Sequence, residues 1–227
     1  MTIKKGDFVE LDYTGKIKDD NKIFDTTIQK VAEDAGLLHK HEPGHDHDHS
    51  DQYSPVKICV GEKHVLPGLD EKMEGLDIGK HTINLEDVHA FGKKDAKLVT
   101  LLPMSLFKKQ EIKPFAGLEL NIDGRLGIVR SVSGGRVLVD FNHPLASKDI
   151  IYDLDIKKII TDNKEKMQAL LKLVRLPNSG FEIKDSVVTI KLDQVAPEQY
   201  LKMFSDDVKR LTGLTLKYEQ PKTENKQ

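Results

Sequence analysis

The sequence predicts an α+β fold with mainly antiparallel sheets, and three observations support this prediction. Apolar and polar residues alternate over 150–160 and in other short segments, which indicates strands with one buried face. The dipeptide Asp123-Gly124 has the chemistry of the tight turns that join antiparallel strands. Apolar residues at helical spacing in 163–175 and 197–212 predict two amphipathic helices.

Composition and charge narrow the class of protein. The chain has 227 residues, of which 38% are hydrophobic, so it can build a core of its own. Its 35 Lys and Arg nearly balance 37 Asp and Glu, and the net charge of -2 argues against nucleic-acid binding. Because the sequence has no signal peptide and no long apolar run, we expect a cytoplasmic protein without a membrane segment. A single cysteine, Cys59, excludes an internal disulfide.

The first third of the chain combines short strands with one long polar loop. Residues 28–57 lose the strand pattern, and we predict that they form an insertion loop that is too polar to build a core. A short apolar strand with Val56, Ile58 and Val60 follows. Pro67 then predicts the start of a brief helix, since proline is favoured in the first turn.

Two further modules are predicted after the helix. Residues 88–140 have the pattern of a small β-rich module, with a helical segment over 101–109 followed by three short strands. Residues 161–218 form a separate unit in the order αββαβ, and Asp162 is the expected N-cap of its first helix.

Four short motifs stand in an order that resembles a known family. They are YTG at 13–15, FDTT at 24–27, VLPGL at 65–69 and AFG at 90–92. Their order and spacing resemble the FKBP-type peptidyl-prolyl isomerases. A β-rich insert between AFGKKD and VLVDFNHPLA is similar to the SlyD-like subgroup, in which an insert-in-flap domain interrupts the isomerase fold. The layout of the C-terminal unit is similar to that of the long-type archaeal FKBPs.

This resemblance implies a strongly curved antiparallel sheet wrapped around one short helix, with a proline-binding pocket between them. It also implies a division into domains. We expect a discontinuous isomerase domain of residues 1–87 plus 141–160, an insert-in-flap domain of 88–140, a C-terminal α/β domain of 161–218 and a polar tail of 219–227.

The resemblance further assigns roles to individual residues. Catalytic roles fall to Tyr13, Asp25, Leu66 and Phe91, where the Leu66 backbone N–H and the Tyr13 hydroxyl steer the substrate and Asp25 holds Tyr13. Substrate-binding roles fall to the residues that would line the proline pocket: Phe24, Ile58, Val65, Leu69, Leu145 and Tyr152. Leu69 and Phe91 stand where family members frequently carry Trp and Tyr, so we expect a deeper and less flat pocket floor and one hydrogen bond fewer to the substrate.

The chemistry of prolyl isomerisation agrees with such a residue set. Rotation about an X-Pro amide has a barrier of roughly 18–20 kcal/mol because resonance gives the C–N bond partial double-bond character. No bond is broken, so the reaction requires no nucleophile and no cofactor. It requires a dry apolar cavity that accommodates the twisted amide better than the planar one, and a few hydrogen-bond donors. The same apolar residues would also suit an ordinary packed core.

The insert predicts a second activity. It carries more apolar side chains than a module of its size easily buries, and Met and Leu adapt to varied partners. We predict a chaperone surface for unfolded chains, formed by Leu101, Leu102, Met104, Leu106 and Phe107. The alternative is that these side chains form the insert's own core.

A histidine-rich run indicates metal binding. His39, His41, His45, His47 and His49 alternate with other residues, and imidazole nitrogens at such positions can bind Ni²⁺ or Zn²⁺. The alternative is a solvated loop with adventitious affinity for metals, because no scaffold fixes the geometry.

The leading hypothesis is a peptidyl-prolyl cis-trans isomerase that also binds unfolded or nascent polypeptides containing X-Pro bonds and assists proline-limited folding. One alternative is a holdase chaperone with a vestigial isomerase site, and another is a His-rich nickel- or zinc-binding protein. No nucleic-acid or membrane partner is expected. The apolar helix faces of the C-terminal unit predict either the core of that unit or a homodimer interface.

Overall fold

The structure is a computed structural model that describes residues 2–37 and 53–219. It has a mixed α/β composition with antiparallel sheets and few helices. The strands are β1 (Phe8–Ile17), β2 (Ile23–Thr26), β3 (Val56–Cys59), β4 (Gly79–Leu85), β5 (Val99–Pro103), β6 (Glu119–Ile122), β7 (Arg125–Ser133), β8 (Arg136–Asp140), β9 (Ile150–Ile160), β10 (Asn178–Lys184), β11 (Val187–Leu192) and β12 (Thr215–Glu219). The helices are α1 (Gln29–Asp34), α2 (Pro67–Met73), α3 (Met104–Lys109), α4 (Asn163–Val174) and α5 (Glu198–Thr212). Among these described helices, none has the length and apolar character needed to cross a membrane.

The strands form three sheets. The first has the order β2-β1-β9-β4, and β3 pairs with β1 in antiparallel register, with Phe8 opposite Cys59. The second has the order β5-β8-β7-β6 and is antiparallel throughout. The third has the order β10-β11-β12, in which β10 and β11 are antiparallel and β11 and β12 are parallel.

Contacts divide the chain into two compact units. The first comprises the described residues of 1–14, 25–83 and 153–227, and the second comprises 15–24 and 84–152. The domain boundaries that the sequence predicts stay predictions.

The first unit has a core to which the C-terminal helices contribute their apolar faces. Phe8 of β1 and Cys59 of β3 belong to the same buried cluster as the helix residues Met167, Leu170, Leu171, Leu201, Phe204 and Val208. Lys166 lies over the Phe8 ring with its Nζ 5.5 Å from the ring centre. The apolar helix faces that the sequence analysis offered for a homodimer are therefore occupied within the chain, and the homodimer stays a prediction.

The second unit has its core on one face of the β5-β8-β7-β6 sheet. Phe107 of α3 packs there with Val129, Val137 and Val139, all of them almost fully buried. The predicted helical segment over 101–109 is wrong in its first part. Residues 99–103 form strand β5, because proline at position 103 cannot continue a helix interior and Leu101 pairs instead with Leu138 of β8.

Candidate functional site

Strands β1 and β2 bring Tyr13 and Asp25 together. The Tyr13 hydroxyl donates a hydrogen bond of 2.9 Å to the Asp25 carboxylate. The Tyr13 backbone is held on both sides, since its N–H donates to Thr27 Oγ1 at 2.9 Å and its carbonyl accepts from the Thr27 N–H at 3.0 Å. Thr26 Oγ1 donates to the same carbonyl at 3.0 Å. The threonines of the FDTT motif thus fix the strand position from which Tyr13 reaches Asp25.

Leu66 is the N-cap of α2, and its backbone N–H has no acceptor in the described part of the chain. Its carbonyl accepts from the N–H groups of Leu69 and Asp70, both at 2.9 Å, and so starts the helix. Pro67 follows at the first helical position, where its missing N–H costs nothing. Among the described residues, the Leu66 N–H is therefore left available to donate a hydrogen bond.

The turn before Leu66 is organised by a carboxylate that the sequence analysis did not identify. Asp70 is only 3% exposed, and its two oxygens accept from the N–H groups of Gly61 at 2.9 Å and Lys63 at 2.8 Å. Gly61 has φ +89°, and a Cβ there would lie 2.5 Å from the Lys5 side chain. In the sequence, only Gly61 indicates a turn at this place. Its acceptor, Asp70, lies nine residues further along the chain and carries no signal of its own.

A histidine completes this turn. His64 Nδ1 accepts a hydrogen bond of 3.1 Å from the Cys59 N–H, so the neutral ring carries its proton on Nε2. Burial lowers the pKa of His64, which favours this neutral form. Burial also raises the pKa of the Cys59 thiol to about 12, and the side chain is fully buried, so it packs as a small apolar residue.

Four aromatic rings cluster in the second unit. The Phe24 ring meets Phe91 and Tyr152 edge-to-face, in both cases with 5.9 Å between ring centres. Phe91 stacks on His143 with 4.5 Å between centres and an angle of 5° between planes. A Cβ on Gly15 would lie 2.7 Å from the Phe24 ring, so the glycine of the YTG motif leaves room for this cluster. No local pattern in the sequence indicates that His143 stacks on Phe91.

The remaining residues predicted to bind substrate differ in exposure. Ile58 and Leu69 are each only 2% exposed and Tyr152 is 4% exposed, so they offer little open surface. Val65 and Leu145 are half-buried. The substrate-binding roles of these five residues stay predictions.

The chaperone surface predicted in the insert requires a correction. Phe107 is 1% exposed and belongs to the module's core, because helix α3 turns it towards the sheet. Leu102 and Met104 are half-buried against the same core. Only Leu101, at 49%, and Leu106, at 37%, are exposed.

The opposite face of this sheet is the more open apolar surface. Side chains alternate along a strand, so Leu138, between the buried Val137 and Val139, points away from the core. Leu101 lies across from it, and Ile128 and Leu126 of β7 lie on the same face; the exposed fraction of Leu126 is 74%. We call Leu101, Leu138, Ile128 and Leu126 the open face.

The predicted metal ligands His39, His41, His45, His47 and His49 lie outside the described residues. Within residues 2–37 and 53–219, no group of three or more His, Cys, Asp or Glu side chains is arranged to hold a metal ion. A metal role for the histidine-rich run stays a prediction.

Comparisons with known proteins give the following matches. A sequence model of FKBP-type peptidyl-prolyl cis-trans isomerases matches residues 1–122, and a model of the FKBP26 IF domain matches residues 100–145. The chain is 26% identical over 158 residues to a short-type peptidyl-prolyl cis-trans isomerase of Methanocaldococcus jannaschii, covering 69% of this chain and 94% of that protein. It is 29% identical over 119 residues to a probable FKBP-type 16 kDa peptidyl-prolyl cis-trans isomerase of Pseudomonas fluorescens (51% and 79% covered). It is 28% identical over 116 residues to the FKBP-type isomerase SlyD of Aeromonas hydrophila (50% and 55% covered).

Proposed function

This chain belongs to the FKBP-type peptidyl-prolyl cis-trans isomerase family, and we propose that it catalyses the exchange of X-Pro bonds in unfolded or nascent polypeptides through the residues described above. The enzyme class follows from the family; the residue roles are our proposal. The observation that carries them is the Tyr13–Asp25 hydrogen bond together with the unengaged Leu66 N–H.

The two groups have different roles in the proposed reaction. A phenol has a single O–H, so Tyr13 cannot donate to Asp25 and to a substrate at the same time. The Leu66 N–H is the donor that steers the substrate carbonyl, while Tyr13 holds the carboxylate of Asp25. The family resemblance assigns to Phe24 and Phe91 an apolar surface that disfavours the polar planar amide. Proton transfer has no part in the reaction, because rotation breaks no bond.

Replacement of Asp25 tests this proposal. We expect Asp25→Ala to slow catalysed cis–trans exchange of a short X-Pro peptide about two- to tenfold, the equivalent of one lost hydrogen bond. Exchange is measured by NMR at equal enzyme concentration. Asp19→Ala, which removes an exposed carboxylate from the turn between β1 and β2, serves as the matched control and should keep the wild-type rate. Equal rates for Asp25→Ala and the control would contradict the proposed role of Asp25.

We further propose that residues 88–140 are an insert-in-flap module that binds unfolded polypeptides and so assists proline-limited folding. The open face supports this, because Leu101 and Leu126 are exposed there while Ile128 and Leu138 are half-buried, and adjoining exposed apolar side chains are typical of a partner-binding surface. The match of residues 100–145 to the FKBP26 IF domain points in the same direction. Of the side chains predicted from sequence, Leu101 is the one that contributes to this face.

Replacement of Leu126 tests the binding surface. We expect Leu126→Ser to weaken binding of a permanently unfolded, reduced and carboxymethylated polypeptide about fivefold, since the contact buries one leucine side chain. Exchange of a short X-Pro peptide should not change. Val195→Ser is the matched control, because Val195 is 58% exposed and lies in the first unit. If both variants bind like the wild type, the open face is not the binding surface.

A further inference from the structure

The turn of residues 60–64 follows β3 and lies two residues before Leu66, the N-cap of α2, so its shape bears on the position of the Leu66 N–H. Two of its N–H groups converge on Asp70, as described above, and Lys63 adopts φ +57°, a conformation that L residues seldom take. Glu62 precedes Leu66 by only four residues. We therefore expect a displacement of Glu62 to move the Leu66 N–H as well.

Glu62, in the middle of this turn, is held by a residue of the C-terminal helix. Arg210 of α5 donates two hydrogen bonds to the Glu62 carboxylate, at 2.6 and 2.8 Å, one to each oxygen. Asp207, on the same helix, accepts a third at 2.8 Å and so orients the guanidinium group. The hydrogen bond from Arg210 lowers the pKa of Glu62, which keeps the carboxylate charged at neutral pH. A two-pronged pair of this kind fixes direction as well as distance.

Helix α5 is a rigid base for this contact. Its residues Leu201, Phe204 and Val208 are 5% exposed or less and belong to the core that contains Cys59. Val208, two residues before Arg210, has no exposed surface. Cys59 is the last residue of β3 and directly precedes the turn. The helix thus contacts the turn through Arg210 and supports its base through the shared core.

We propose that Arg210 is a positioning residue for the isomerase reaction: by holding Glu62 it fixes the 60–64 turn and, through it, the Leu66 N–H. This inference rests on the proposed function. It gives the C-terminal segment a part in catalysis without any contact between Arg210 and substrate.

A set of variants of the full chain tests the inference. We expect Glu62→Gln and Arg210→Gln each to lower kcat/KM for a short X-Pro peptide about threefold, the scale of a well-formed exposed ion pair. The fall should lie in kcat rather than KM, because the donor's position matters most as the amide twists. The double variant Glu62→Gln/Arg210→Gln should lose no more kcat/KM than the less active of the two single variants, because both changes break the same contact. The kcat/KM of Arg210→Lys should lie between those of the wild type and Arg210→Gln, since lysine keeps the charge but cannot form the paired hydrogen bonds.

Spectroscopic and control measurements separate catalysis from stability. The ¹H–¹⁵N signal of Leu66 should shift in Glu62→Gln and in Arg210→Gln. Lys209→Gln, which removes the neighbouring cation, should keep the wild-type signal and rate. All rates are compared at a temperature at which circular dichroism finds every variant folded.

Two failures are distinguishable. If Arg210→Gln keeps the wild-type kcat and Leu66 signal while its melting temperature falls, Arg210 only fastens α5, and the inference is wrong while the proposed function stands. If the wild type itself does not accelerate exchange, the proposed function fails, and the positioning role fails with it.

Discussion

At the scale of single residues, buried carboxylates determine the shape of local backbone in both units. Asp70 collects two backbone N–H groups in the first unit. Asp140, 3% exposed in the second unit, accepts from the Asn142 backbone and side chain at 2.9 and 2.8 Å, from Arg130 at 2.8 Å and from Lys94 at 3.2 Å. A buried carboxylate with this many donors is stable only in its charged form.

This arrangement predicts a pH dependence of stability. Burial alone would raise the pKa of Asp140, but the hydrogen bonds from Asn142, Arg130 and Lys94 outweigh it and hold the pKa well below its usual range. A carboxylate whose folded pKa is depressed stabilises the fold above its unfolded pKa of about 3.9 and loses that contribution as the pH falls towards the folded value.

We therefore expect Asp140→Asn to destabilise the protein by about 1–3 kcal/mol at pH 7, because it removes a charged acceptor from several donors. The difference from wild type should shrink as the pH falls below about 4. Urea unfolding, followed by circular dichroism between pH 7 and pH 3, measures this difference in the free energy of unfolding. Glu119→Gln, an exposed carboxylate of the same sheet, is the control. A difference that stays constant with pH would show that Asp140 contributes through packing alone.

At the scale of elements, prediction succeeded where one local signal was unambiguous. The Asp162 side chain accepts from the Glu165 N–H at 2.9 Å, as expected of an N-cap, and the alternating segment 150–160 is strand β9. It failed over 101–103, where a short apolar segment fits a strand and a helix equally well. Pairing with β8 decided that segment, and neighbouring strands are not visible in a local pattern.

The same limit explains the correction of the chaperone surface. Leu101 and Phe107 are both large, apolar and close in sequence, yet one is 49% exposed and the other 1%. Which side chain faces the core depends on the register with β8 and on the direction of α3. Leu126, on the open face, lies 19 residues beyond Phe107 and carries no signal of exposure in the sequence.

At the scale of the first unit, the C-terminal segment is part of the core that surrounds Cys59. Cys59 and Phe8, at opposed positions on β3 and β1, belong to one buried cluster with Phe204 and Val208 of α5. A segment of roughly 60 residues has marginal stability on its own. Packing against β1 and β3 therefore stabilises the C-terminal segment further. The thiol of Cys59 therefore reports on the integrity of this packing.

We expect native Cys59 to react with iodoacetamide at pH 8 about a thousandfold more slowly than in urea, because burial both covers the thiol and raises its pKa to about 12. Phe204→Ala should accelerate labelling, since a large buried side chain is lost from the same cluster. Met203→Ala is the matched control, because Met203 is the neighbouring residue and is 63% exposed. Rapid labelling of the native wild type would contradict the packing described here.

The sequence by itself determined the family, the kinds of elements and the residues on which the proposed reaction depends. The elements rest on alternation, caps and turn residues, which are short-range signals, and the family rests on the order of four short motifs between residues 13 and 92. The tertiary structure alone decided that Asp70 organises the 60–64 turn, that His143 stacks on Phe91 and that Arg210 binds Glu62. The last two contacts join residues 52 and 148 positions apart, and only the packing of strands and helices brings such residues together.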